Sequence, residues 1–476
     1  MSKKVWVALG ALIATLSVAG LAGMTLVANA ADTATSPNFI VIYAEAEGWV
    51  SSSVQMDDRN PASKGSGLKT PNLERLASAG MRFSDGYAAS PRCTPSRAAI
   101  FTGRSPAALH MTFVGTGDGD ASPGNVNTKV IPVNASTEMP LEETTIAELL
   151  KRQGYGTAHF GKWHVGKTNP SQHGFDESDG ATSNGGPDNV ASPNPKQALL
   201  MTSKGISFME RMAKAKKPFY LQMSHYPNQA LKSASASAEE KGVVDSTIGQ
   251  ILDAVDRLGL KGNTYIVYTS DHGAQGKNTP LTGGKGGVWE GGIRVPYIIS
   301  GPGIKSGSFS HVRASGVDLF PTFAALAGVK EALPKGVEGG SLVPVLMNGG
   351  VGTVQRPREE FVVHFPHYDK DPQGPASSIL LGNYKLTRLY ETGELKLFDL
   401  SNDVVEHNDL AKQMPEKVTE LDSRMTAYLK EINAQMPTMN TNATTTKSAS
   451  DLPGEKKNGG MGGGKGEAKA GGMGKG

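Results

Sequence analysis

Apolar residues in the first half of the chain cluster into uninterrupted stretches rich in β-branched and aromatic side chains. Residues 37–43 (PNFIVIY), 218–224 (PFYLQMS) and Thr264–Ser270 (TYIVYTS) show little polar alternation. This pattern predicts strands buried on both faces of a parallel sheet, and residues 155–160 (YGTAHF) read as a further strand. Helical spacing lies between them. Residues 70–80 (TPNLERLASAG) offer Thr70 as N-cap, Pro71 in the first turn and Gly80 past the end, the usual placement of these residues around a helix. Residues 141–154 repeat that form, residues 238–258 keep helical periodicity, and residues 317–328 close the series. Strands alternating with helices predict an α/β fold built on a mixed, largely parallel sheet sandwiched by helices.

From about Arg356 the pattern changes. Residues 378–381, 384–390 and 395–398 are short strand-like pieces joined by Gly-containing turns, followed by a helix over 415–432. They predict a small C-terminal α+β domain, an antiparallel sheet with one helix. Residues 438–476 are rich in Thr, Ser, Gly and Lys, a composition that predicts a disordered tail. The expected organisation is therefore a leader over 1–30, an α/β domain over 31–350, a small domain over 351–437 and a tail over 438–476.

Composition supports a folded chain of 476 residues, with 38% hydrophobic and 20% charged side chains. The net charge of +3 comes from the ends: Lys3, Lys4 and the lysine-rich stretch 454–476 set aside, 41 basic face 43 acidic residues. Nucleic-acid binders concentrate basic residues on the folded domain, so no nucleic-acid partner is expected. Residues 1–30 join Lys3-Lys4 to an apolar stretch over 5–28 and end in Ala28-Asn29-Ala30, the pattern of a secretory signal peptide. The stretch also approaches the ~20 residues of a spanning helix, so an uncleaved anchor is the alternative. The expectation is an exported chain, periplasmic or extracellular, with no stable membrane insertion after cleavage. One cysteine, Cys93, leaves no internal disulfide. A lone thiol in an oxidising compartment is a liability unless it is buried, used or converted.

Cys93 opens the densest motif, Cys93-Thr94-Pro95-Ser96-Arg97-Ala98-Ala99-Ile100-Phe101-Thr102-Gly103. It places a Cys, a Pro turn, a Ser cap and an Arg at the mouth of a helix, where free N–H groups favour anions and a guanidinium can clamp a tetrahedral oxyanion. Asp271-His272 follow the strand Thr264–Ser270, at the strand end where α/β sheets place ligands.

The Cys93 motif resembles the sulfatase signature C-x-P-S-R-x-x-x-x-T-G at every fixed position. Residues 154–164 (GYGTAHFGKWH) are similar to a second signature of that family, and Gly283-Gly284-Lys285-Gly286 with Glu290-Gly291-Gly292-Ile293-Arg294-Val295-Pro296 to a further block. The similarity runs from about Pro37 to about Pro437. It implies an alkaline-phosphatase-like fold and hydrolysis of aryl or carbohydrate sulfate monoesters, with a sulfated small molecule or glycan as substrate. It implies that a formylglycine-generating enzyme converts Cys93 to formylglycine, whose aldehyde hydrate is the nucleophile. Arg97 and Lys162 would neutralise charge, His164 would act as base, and Lys285 would hold the sulfate and protonate the departing alcohol. One Ca²⁺ per chain would be held by Glu45, Asp271, His272 and the converted Cys93.

Two positions depart from the family. Relatives carry Asp-Asp at the end of the first strand, where this chain has Glu45-Ala46. Glu47 is expected to compensate, because Glu45 and Glu47 point the same way if strand geometry persists. Relatives also place a sulfate-contacting His where this chain has Gln229, which can donate a hydrogen bond to sulfate but cannot carry a proton. Three readings stay open: a sulfatase, a catalytically weakened or silent binder of sulfated glycans on the same fold, and a phosphate or phosphonate monoester hydrolase of the same superfamily.

Overall fold

Strand β1 (Asn38–Ala44) lies inside an eight-stranded sheet with every residue buried. The other strands are β2 (Met81–Phe83), β3 (Gly156–Gly161), β4 (Glu177–Ser178), β5 (Phe219–Ser224), β6 (Thr264–Ser270), β7 (Tyr297–Ser300) and β8 (Ser308–Ser310), in the spatial order β8-β2-β7-β6-β1-β5-β3-β4. All neighbours run parallel except β7, which is antiparallel to both β6 and β2. The computed structural model describes residues 36–114, 128–185, 198–226, 238–276, 278–369 and 371–441. The leader, Gln229 and nearly all of the tail lie outside the described residues.

The uninterrupted apolar run of β1 reflects a sheet covered on both sides. Phe39, Val41 and Tyr43 face one core, with Ile100 and Phe101 of α2 (Cys93–Thr102), Leu149 and Leu150 of α3 (Ile146–Arg152), and Phe320 and Phe323 of a helix at Leu319–Leu326. Ile40, Ile42 and Ala44 face the other, with Leu73 and Leu76 of α1 (Pro71–Ala79), Met201 and Phe208 of α4 (Ala198–Ala215), and Ile248 and Ile251 of α5 (Ala238–Arg257). Each fully buried large apolar side chain contributes about 1.5–3 kcal/mol, so the parallel strands are held as a rigid platform. Among the described residues no helix is long and apolar enough to cross a membrane.

Several helix limits differ from expectation for local reasons. The helix expected over 141–154 begins only at Ile146, because Thr145 is its cap. Thr145 Oγ1 accepts from the Glu148 N–H at 3.1 Å, and Glu148 Oε2 accepts from the Thr145 N–H at 2.7 Å, a reciprocal capping box. The helix expected over 317–328 opens with a tight turn at Gly316–Asp318, leaving Leu319–Leu326 as α6. Helix α4 was not expected at all.

The C-terminal strands β9 (Phe361–Phe365), β10 (Ala376–Leu381), β11 (Tyr384–Leu389) and β12 (Leu395–Asp399) form an antiparallel meander. One face packs on α7 (Pro415–Glu431) through Ile379, Leu386, Leu397, Leu421 and Met425. The other face packs Val363, Phe365 and Leu380 against Tyr87, Phe113, Val288 and Ile293 of the larger sheet's loops. A buried charge knot pins this seam. Lys385 Nζ sits 2.8 Å from both Glu290 Oε1 and Glu406 Oε1. Arg294 binds Glu290 at 2.6 Å and Asp85 at 2.7 Å, and donates to the Tyr87 hydroxyl at 2.6 Å. The seam brings the β9–β10 loop onto the loop bearing Lys285: Gly286 lies so close to Asp369 that an added Cβ would come within 2.8 Å of its carboxylate.

Candidate active site

Parallel register aligns the C-terminal ends of four strands. Tyr43 of β1 is level with Thr269 of β6 and with Ser224 of β5, and Ser224 is level with Gly161 of β3. The residues that follow these strands are therefore delivered to one edge: Glu45 after β1, Asp271 and His272 after β6, Lys162 and His164 after β3, and His225 after β5. Two of these exits carry non-glycine residues at positive φ, Ala46 at 57° and His164 at 56°. Such backbone conformations cost about 1–3 kcal/mol each and persist where packing over-determines them.

Helix α2 points its N-terminus at the same edge. Cys93 is itself the first helical residue and Arg92 the N-cap, so Ser96 is not the cap the sequence suggested. Ser96 lies inside the first turn and donates to the Ser90 carbonyl at 2.9 Å. Cys93 Sγ sits 3.3 Å from Glu45 Oε1 and 3.2 Å from His272 Nε2. Arg97 Nη2 bridges Glu45 Oε2 and Asp271 Oδ2 at 3.0 Å each, while its Nη1 donates to the Lys162 carbonyl at 2.8 Å. Lys162 Nζ donates to Glu45 Oε2 at 2.9 Å, and Lys285 Nζ lies 3.6 Å from Glu45 Oε1. All of these residues are buried except Lys285, which is partly open with 10% of its side chain exposed.

Three fixed cations thus surround two carboxylates and a thiol. Burial opposes ionisation of Glu45, but Lys162, Lys285 and Arg97 outweigh it and hold the carboxyl well below the usual range. Burial and Glu45 oppose the Cys93 thiolate, and Lys162, Lys285 and His272 overcome them, so the thiol is held well below its ordinary value. Asp271 is pushed up to about 7 by burial and by Glu45. Burial brings His164 down to about 4, with Lys162 acting the same way and Cys93 in opposition. The imidazole is therefore neutral at pH 7, and among the described residues its ring nitrogens have no hydrogen-bond partner other than the Cys93 thiol. Burial, then Arg97, likewise brings His225 to about 4.

Glu45, Cys93, Asp271 and His272 each offer a donor atom within 4.8 Å of the other three, a grouping that can hold a metal ion. His272 Nδ1 lies 2.8 Å from the Gly273 carbonyl, a contact that needs the proton on Nδ1 and turns Nε2 toward the cluster. Glu47 is not part of the group, contrary to expectation. Strand β1 ends at Ala44 and the positive φ of Ala46 breaks the alternation. The Glu47 N–H is turned to Ser270 Oγ at 2.8 Å, and its carboxylate acts on Tyr268, which belongs to the opposite core. Gln229 lies outside the described residues.

Arg92 and Asp369, which no sequence expectation named, stand beside this edge with His367, whose stretch 364–368 the family resemblance gives either as near the substrate pocket or as a packed aromatic cluster. Arg92 Nε is 2.9 Å from an Asp369 oxygen, with both side chains nearly buried. His367 accepts from or donates to Thr112 Oγ1 at 2.8 Å and packs on Phe113. His364 instead pairs with Ser377 and the Gln435 carbonyl within the small sheet.

Comparison with known proteins agrees with this geometry. The family model described as Sulfatase matches residues 37–329. N-acetylgalactosamine-6-sulfatase of Mus musculus is 31% identical over 362 residues, 66% of this chain and 66% of that protein. Arylsulfatase A of Homo sapiens is 31% identical over 406 residues, 73% of this chain and 74% of that protein. The chain thus spans about two thirds of the length of the N-acetylgalactosamine-6-sulfatase it matches. The crystal structure of Ps i-CgsB superposes with a TM-score of 0.67 at 23% identity, covering 87% of this chain and 96% of that one, so the two share the alkaline-phosphatase-like α/β fold. With its signature residues gathered at one strand edge and its matched region spanning the whole parallel sheet, the chain belongs to the sulfatase family.

Proposed function

We propose that this protein hydrolyses sulfate monoesters of carbohydrates, with Cys93 as the site of the nucleophile. The observation that carries this reading is the convergence of Arg97, Lys162 and Lys285 on Glu45 beside Cys93 at the mouth of α2, a surplus of positive charge suited to a sulfate group. The carbohydrate class is supported by relatives: one is named N-acetylgalactosamine-6-sulfatase, and Ps i-CgsB has been solved with k-i-k-neocarrahexaose.

Two groups implied by the family fit the residues present. The buried His164 nitrogens, without partners beside Cys93, suit a formylglycine at position 93 whose hydroxyls they could engage. The four-donor grouping suits a divalent cation held by Glu45, Asp271, His272 and residue 93. Formylglycine would supply a hydrated aldehyde as nucleophile, and the cation would supply Lewis acidity. The chain's own side chains do the rest. Arg97 and Lys162 balance charge that develops on the sulfate oxygens, Lys285 gives its proton to the ester oxygen as the S–O bond breaks, and the neutral His164 accepts a proton from residue 93. Burial of Cys93 requires that a maturation enzyme reach it before folding. The signal-like pattern of residues 1–30 supports a mature protein in the periplasm or the extracellular space.

The test is to co-produce the chain with a formylglycine-generating enzyme, verify conversion of Cys93 by peptide mass, and measure sulfate release from sulfated sugars beside matched phosphate esters. Sulfate release that disappears in Cys93→Ala supports the reading, and faster phosphate release overturns it. A binding-only protein is favoured by one observation, the methyl group of Ala46 where relatives carry a carboxylate. Tight sulfated-sugar binding with no release from the converted chain would establish it.

A further inference from the structure

We propose that, while Cys93 remains a thiol, the strand-edge cluster is a four-donor site for a small borderline divalent cation of the Zn²⁺ type, and that it prefers such an ion to Ca²⁺. The inference concerns the unconverted chain and does not depend on the hydrolase reading, which concerns the converted one.

The donor set is one thiol, one imidazole nitrogen and two carboxylates. The separations are 3.3 Å for Cys93 Sγ to Glu45 Oε1, 3.2 Å for Cys93 Sγ to His272 Nε2, 3.4 Å for His272 Nε2 to Asp271 Oδ1, and 3.9 Å for His272 Nε2 to Glu45 Oε1. A tetrahedron with the ~2.0–2.3 Å bonds of zinc to nitrogen, oxygen and sulfur has edges of about 3.3–3.8 Å. Four of the six edges therefore match such an ion to within about 0.1 Å, and the other two are within 4.8 Å. The imidazole is oriented by the Gly273 carbonyl, the outer support that histidine ligands of metals commonly have.

Calcium asks for something else. It takes six to eight oxygen ligands, and here the outer carboxylate oxygens are already engaged. Glu45 Oε2 accepts from Arg97 and Lys162, and Asp271 Oδ2 accepts from Arg97. Ala46 adds only a methyl group, and its N–H goes to Asp271 Oδ1 at 3.0 Å. Sulfur and imidazole ligands favour borderline ions over hard ones. Binding would release the thiol proton to solvent, leaving the single cysteine as a metal thiolate shielded from oxidation.

The experiment uses full-length chain from a host without a maturation enzyme, with the thiol at position 93 confirmed by mass and resident metal removed by a chelator. Zn²⁺, Co²⁺ and Ca²⁺ are then titrated separately. Expected are one Zn²⁺ per chain bound at least about 100-fold more tightly than Ca²⁺, and a Co²⁺ form with thiolate-to-metal charge transfer and the strong visible bands of a four-coordinate ion. Cys93→Ser should abolish the charge transfer, and His272→Asn should weaken Zn²⁺ at least about tenfold. The cobalt spectrum of the unaltered chain tests thiolate ligation even if a variant fails to fold. Calcium binding as tight as zinc, or a cobalt spectrum without charge transfer, overturns the proposal.

Discussion

The strand-edge cluster around Cys93 and the charge knot around Glu290 are assembled from the same kinds of side chain, largely buried, and they are completed in different ways. In the knot, Lys385 is shared by Glu290 and Glu406, while Arg294 is spent on Glu290, Asp85 and Tyr87. Acidic groups there outnumber the two cations. At the strand edge three cations face two carboxylates, and among the described residues His164 has no hydrogen-bond partner other than Cys93. Closed, over-acidified pairing marks a structural rivet, whereas surplus positive charge beside an imidazole tied only to residue 93 marks a receptacle for an anion.

Replacing Arg97 attacks the comparison hardest. In Arg97→Ala, Glu45 and Asp271 lose their shared guanidinium, so a stability loss of about 3–5 kcal/mol by denaturant unfolding should accompany a fall in sulfate release of at least about 10³-fold. His164→Ala separates the two properties. Sulfate release should fall by about 10²–10⁴-fold, with a stability loss well below that of Arg97→Ala, since the neutral imidazole is tied only to residue 93 and no buried charge is left uncompensated. A stability loss comparable to that of Arg97→Ala would mean that His164 is structural. Lys385→Met is the counterpart in the knot. It should cost about 3–5 kcal/mol by leaving Glu290 and Glu406 uncompensated, while turnover per folded molecule changes less than about tenfold.

A smaller effect lies in pH. Glu406 is raised to about 7 by burial, Lys385 opposing and Glu290 reinforcing, whereas Glu290 is held at about 2 because Lys385 and Arg294 outweigh its burial. A carboxyl raised on folding contributes stability that is complete below its unfolded value and is lost as pH rises through the folded one. Stability should therefore decline from about pH 5 to about pH 8 by about 1–3 kcal/mol. Glu406→Gln should flatten that slope in a melting series, with Asp271, also raised to about 7, supplying what remains. The Glu290 contribution is lost only as pH falls towards 2. Smallest is Ala46→Asp. Position 46 already has positive φ, which Asp tolerates better than Ala, so stability should hold within about 0.5 kcal/mol. Calcium affinity of the converted chain should rise about tenfold by direct titration.

How far these regions could be read from sequence follows from how local their causes are. Strands β1 and β6 announce themselves because burial on both faces leaves no polar alternation, and their ends then locate Glu45, Asp271 and His272. Helix α4 was missed although its apolar positions are spaced for a helix, since Gly205 and a run of small polar residues dilute the pattern. The expected partnership of Glu45 and Glu47 failed because a single positive φ at Ala46 ended the period of two. Lys385 and Glu290 are ninety-five positions apart, and no local pattern can pair residues that only the meeting of two sheets brings together.

That meeting has an evolutionary consequence. The meander presents one apolar face to its own helix and the other to loops around Tyr87 and Ile293, and Lys385 neutralises a carboxylate that belongs to the larger sheet. Cutting the gene between the two parts would expose a greasy surface on each fragment and strand a buried charge in both. Recombination with a relative could exchange the C-terminal piece only if the Lys385, Glu406, Glu290 and Arg294 positions travelled as a matched set. Lineages of this chain are thus expected to diversify by altering surface loops in place rather than by shuffling the end of the protein.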